Sequence, residues 1–136
     1  MTKKKILGWC ACGAAAVALL SFFMNYLSEY GMGISGFQMM GEVKETGEGM
    51  LMVIALVATI ATLVAALLSN FNDGNYSMAI YCSIASVICM WLAYFTLGEL
   101  VGENLVAYAG SGFWTFMIAH VTATVLGFEA GIPNID

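Results

Sequence analysis

Apolar residues run through this chain in four long blocks, separated by short stretches rich in glycine, acid and amide. The blocks cover about 6–27, 49–69, 77–97 and 105–128. Each is about 20–24 residues long, and an α-helix of about 20 apolar residues crosses a hydrocarbon core of roughly 30 Å. The pattern therefore predicts four membrane-spanning helices in a single domain. Two of the connections, NFNDGNY and GELVGEN, are short, and Asp73-Gly74 in the former reads as a turn pair because glycine accepts positive φ. Short connections make consecutive helices antiparallel neighbours. The expected fold is an all-α integral membrane protein, an up-down four-helix transmembrane bundle with one long loop, 28–48, between the first two helices.

Composition strengthens that reading. The chain has 136 residues, is 61% hydrophobic and carries only four basic and nine acidic side chains. A water-soluble domain needs about 25% charged residues to cover its surface, and here the figure is 10%. The apolar run from Ile6 is longer than the 7–15 residues or so of a secretory signal core, so retention is expected although Ala14, Ala16 and Ala18 offer an A-x-A pattern. A net charge of −5 and the absence of arginine speak against nucleic acid. Lys3, Lys4 and Lys5 set the orientation, because positive residues flanking a span stay in the cytoplasm. Both termini are then cytoplasmic, and 28–48 faces outward from the cell membrane. On this topology the Asn75-Tyr76-Ser77 sequon lies inside and is idle.

The candidate chemistry is sparse. No block holds Asp, Glu, Lys or Arg in its interior, which removes the usual charge carriers of pumps and ion-coupled transporters. His120, within FWTFMIAHVTAT, is the one ionisable exception apart from thiols and phenols. A single hydrogen bond from Asn25, Thr59, Thr62, Ser83, Ser86 or Thr96 satisfies a neutral histidine there, whereas zinc or acid–base catalysis needs partners that the sequence does not supply. Asn25, near the outer end of the first block, is the other intramembrane polar candidate. Cys10, Cys12, Cys82 and Cys89 lie inside apolar blocks and read as small buried residues, not as a disulfide framework. No cofactor or metal is expected, and no catalytic motif is present.

Two surfaces suggest contact with other molecules. In the outward loop, Ile34, Phe37, Met39 and Met40, with Gln38 among them, form a short, mainly apolar element, suited either to a partner or to folding back over the bundle. Small residues recur every four positions as Ala58, Thr62 and Ala66, as Ala61, Ala65 and Ser69, as Ala85, Cys89 and Ala93, and as Ala119, Ala123 and Gly127. Such stripes let helix backbones approach closely in lipid.

A lysine start, Ser35-Gly36-Phe37-Gln38 in the first loop, and Gly110-Ser111-Gly112-Phe113-Trp114 followed by Ile118-Ala119 resemble small four-span proteins of low-GC Gram-positive bacteria. The helix count and long first loop are also similar to claudin-type tetraspans, although the loop has neither their cysteine pair nor their Trp-Gly-Leu-Trp signature. The resemblance implies a four-span fold and brings no activity. The function expected from the residues is non-enzymatic: a scaffold or accessory subunit that contacts lipid, other membrane subunits or further copies of itself. The rival expectation is an oligomeric pore or small transporter lined by Ser, Thr, Asn25 and His120.

Overall fold

Each of the four apolar blocks contributes one long helix, and on each a set of small or hydroxyl-bearing positions is buried. The computed structural model describes residues 3–29, 32–43, 50–72, 76–102 and 105–130. In it, α1 spans Lys3–Leu20, β1 Asn25–Glu29, β2 Met32–Ser35, α2 Gly36–Val43, α3 Met50–Asn72, α4 Ser77–Val101 and α5 Ser111–Ala130. Four of these helices are long and apolar enough to cross a membrane.

On α3 the cause of the packing is plain. Met52, Ala55, Thr59, Thr62 and Ala66 are buried at alternating three- and four-residue steps, one face of a helix. Ile54, Val57, Val64 and Leu68 point outward. Each long helix packs on two others: α1 lies beside α3 and α5, and α4 lies between α3 and α5. Their directions alternate. The start of α1 and the end of α3 meet at one end, where Gly8 sits against Asn70 and Tyr76, and Gly127 near the end of α5 approaches Ile80. At the other end, Tyr94 of α4 bonds the carbonyl of Tyr26, and Gly112 at the start of α5 packs on the same tyrosine.

The segment between the first two long helices departs from the all-α expectation. The first helix does not continue to residue 27. Ser21 turns its hydroxyl back onto the Ala18 carbonyl at 2.5 Å, a 3₁₀ turn follows at Ser21–Phe23, and Met24 is extended. β1 and β2 then pair antiparallel, with Leu27 opposite Ile34 and an irregularity between Asn25 and Leu27. Leu27 also bridges to Ala109, so the hairpin is tied to the turn Leu105–Tyr108 that precedes α5. That turn explains why the last long helix begins at Ser111 and not near 105. The third block likewise runs past residue 97 to Val101, and stops where Gly102 adopts φ 78° and caps with its N–H to the Gly98 carbonyl.

α2 carries a reciprocal cap. Ser35 Oγ accepts from the Gln38 N–H at 3.2 Å, and Gln38 Oε1 accepts from the Ser35 N–H at 3.0 Å. The expected Asp73-Gly74 turn, the sequon position Asn75, the acid-rich stretch 44–48 and the tail from residue 131 lie outside the described residues.

Candidate functional site

Serine and threonine inside an apolar helix must spend their hydroxyls on something, and in this bundle they spend them mostly on each other and on backbone. Three polar layers result. The central one joins three helices: Thr59 from α3, Ser83 and Ser86 from α4, and His120 from α5, all buried. His120 Nε2 lies 2.9 Å from Thr59 Oγ1, and Nδ1 lies 2.7 Å from Ser83 Oγ. Ser86 Oγ reaches Thr59 Oγ1 at 3.2 Å and the Ala55 carbonyl at 3.1 Å. Phe116 closes the layer on one side, its ring meeting the imidazole edge-on at 4.5 Å. Among the described residues no buried side-chain nitrogen or oxygen is left unpaired.

The second layer lies under the hairpin. Tyr26 shares a hydrogen bond with Ser21 Oγ at 2.8 Å, and Tyr94 donates to the Tyr26 carbonyl at 2.5 Å. The Gly110 N–H donates to that same carbonyl. Burial pushes the Tyr26 phenol above its ordinary pKa, with the Ser21 hydroxyl pulling the other way. At the opposite end, Tyr76 donates to Asn70 Oδ1, and Asn70 Nδ2 donates to Cys12 Sγ at 3.0 Å.

Of the residues singled out from the sequence, His120 sits at the centre of a site and Asn25 does not. Asn25 is exposed on β1, opposite Ser35, beyond the last turn of α1. Among the suggested hydrogen-bond partners, Thr59 and Ser83 hold the ring directly and Ser86 holds it through Thr59. Thr62 and Thr96 instead turn back on their own helices, to the Ala58 and Leu92 carbonyls. The loop element splits. Met39 is buried in the main core; Ile34, Phe37 and Met40 are partly buried against it. Gln38 is exposed, and its side chain is used in the α2 cap. Phe37 packs on Phe22 and on Phe23, which is itself 71% exposed.

The four thiols are free; Cys12 is buried, Cys10 exposed. No group of three or more His, Cys, Asp or Glu placed to hold a metal occurs among the described residues.

The Tyr26–Ser21–Tyr94 layer was not legible beforehand, because its Tyr94–Tyr26 bond joins residues 68 positions apart. The capping box was also missed, although serine followed three positions later by glutamine is its signature. Outside the core, a groove of about 300 Å³ runs between α1 and α5, lined by Ala14, Val17, Thr115, Ile118, Ala119 and Thr122. Ser111, also on α5, is exposed. No family model, curated protein or solved structure matches the chain.

Proposed function

We propose that this chain is a non-enzymatic, multi-pass membrane protein that serves as a scaffold or accessory subunit of a membrane assembly. One observation carries the reading: the long helices turn large apolar side chains outward while their central hydroxyls and the imidazole are buried. Leu20, Val57, Leu68, Ile88, Ile118 and Val121 are each 52–66% exposed, while Thr59, Ser83, Ser86 and His120 are each 1% exposed or less. In water this would be a large apolar patch with no solvent to match it. In a bilayer it is the stable arrangement, since lipid tails tolerate leucine and isoleucine but not bare hydroxyls. The central polar groups are consumed by one another, so they hold the helices in register and leave the outward faces to contact lipid and neighbouring subunits.

The three N-terminal lysines place the shared end of α1 and α5 in the cytoplasm and the hairpin with α2 outside. That outer end supplies the partner surface: Phe23, Met24 and Gln38 are exposed there, backed by the half-buried Ile34, Phe37 and Met40. The test is photo-crosslinking from position 38 in native membranes, followed by mass spectrometry of the adducts. A single, stoichiometric membrane subunit is the expected product. Purification as a bare monomer with no adduct defeats the proposal.

A second reading has its own observation. Ser111, Thr115 and Thr122 look outward from α5, two of them into the α1–α5 groove. Several copies facing one another across these grooves would line a narrow polar path, with His120 and Asn25 taking no part. Homo-oligomers in native mass spectrometry, together with ion flux in liposomes lost on Thr115→Val and Thr122→Val, would favour this pore over the scaffold.

A further inference from the structure

His120 is the only histidine of the chain, and each ring nitrogen faces one hydroxyl. A neutral imidazole carries one N–H and one lone pair, and a hydroxyl has a single hydrogen to donate. Both hydroxyls here have a second acceptor within reach. Ser83 Oγ lies 3.1 Å from the His120 carbonyl, and Thr59 Oγ1 lies 2.8 Å from the Ala55 carbonyl. Ser86, next in the chain, can donate to Thr59 or to the Ala55 carbonyl.

The hydrogens therefore fit in two complete arrangements. With the proton on Nδ1, the ring donates to Ser83, Ser83 donates to the His120 carbonyl, and Thr59 donates to Nε2. With the proton on Nε2, the ring donates to Thr59, Thr59 donates to the Ala55 carbonyl, and Ser83 donates to Nδ1. Ser86 has an acceptor in both. Neither arrangement leaves a ring nitrogen or a hydroxyl hydrogen idle, which removes the usual reason for a buried histidine to lock into one form.

We propose that the His120 cluster is a two-position tautomeric switch that joins α3, α4 and α5. The first position ties α4 to the backbone of α5 through Ser83. The second releases that tie and gives α3 a threonine back-bond to Ala55, of the kind that bends helices. Interconversion breaks one N–H bond and forms the other, with the proton released to water and regained from it, so net charge is unchanged. Water reaches the ring only when the cluster opens, which makes the exchange slow and the two forms separately observable.

The single histidine makes ring labelling site-specific. Solid-state NMR of the full chain, carrying ¹⁵N-histidine and reconstituted in phosphatidylcholine bilayers at neutral pH, reads both nitrogens directly. Each nitrogen is expected to give a protonated and an unprotonated signal, the minor form near the upper end of the usual range, about a tenth of the major. Thr59→Val removes the partner of Nε2 and leaves only the Nδ1–H form. Ser83→Ala does the opposite, because a buried N–H without an acceptor is rarer than a bare acceptor, and leaves only the Nε2–H form. Ser86→Ala keeps both forms. One tautomer in the unmodified protein, or the same tautomer in both single variants, overturns the switch; should a variant fail to fold, the unmodified spectrum decides alone.

Discussion

His120 asks little of the bundle and is given two partners where one would do. Replacing it tests what those partners are worth. His120→Gln offers a donor and an acceptor on one amide, so folding and assembly should stay close to normal. His120→Leu removes both ring bonds, but Ser83 and Thr59 fall back on the carbonyls they already touch. The expected cost is about 0.6 kcal/mol and no more than about 2 kcal/mol, the range for interhelical hydrogen bonds in lipid. Reversible unfolding in bicelles measures it, and a loss well beyond that range shows that the cluster does more than register helices. Under the scaffold reading neither variant changes ion flux. Glycine positions offer a second contrast. A Cβ on Gly110 would stand 2.3 Å from the Asn25 carbonyl oxygen, while one on Gly13 meets nothing within 4 Å. Gly110→Ala should therefore cost about 1–3 kcal/mol by forcing β1 away from the start of α5, whereas Gly13→Ala, in the interior of α1, should be neutral or stabilise by up to about 1 kcal/mol. Equal stability of the two variants would mean that the hairpin is not held where it is described.

Among the elements, α2 depends most on local chemistry, since eight residues are too few to form a stable helix alone. Its support is the Ser35–Gln38 box at the start and the apolar cluster beneath, to which Ile34 and Met39 both belong. Ser35→Ala should cost about 1 kcal/mol. The loss should be local: amide hydrogen exchange at Phe37 and Gln38 should speed up roughly fivefold, and α3 to α5 should keep their protection. A uniform rise across the protein would instead make α2 part of the cooperative core.

For the whole molecule, alternating helix directions put the start of α1 and the end of α5 on one side and the hairpin with α2 on the other. With native thiols replaced, Gln38→Cys should react with a membrane-impermeant maleimide added to intact cells. Labelling only after the cytoplasm is opened would invert the topology. Glutamate at Lys3, Lys4 and Lys5 should scramble the orientation, because no other cluster of basic residues is available to set it.

Four long apolar helices could be read directly from the sequence because length and hydropathy are properties of contiguous residues, and they need no partner to be recognised. The stripe that contains Thr62 and Ala66 was equally readable, since helical spacing fixes which positions share a face. His120 was visible as an oddity for the same reason: a titratable group in an apolar run stands out wherever it finally packs. Its partners were not. Six hydroxyl or amide residues were chemically equivalent on paper, and only the packing of α3, α4 and α5 selected Thr59 and Ser83 from among them. The hairpin was hidden by a similar ambiguity. Residues 21–27 are apolar enough to continue a helix, and what ends it is a set of distant contacts: Tyr94 and Gly110 on the Tyr26 carbonyl, and Ala109 against Leu27. Hydropathy decides how much chain enters an apolar phase, while hydrogen bonds between remote segments decide where the helix stops and which side chains meet.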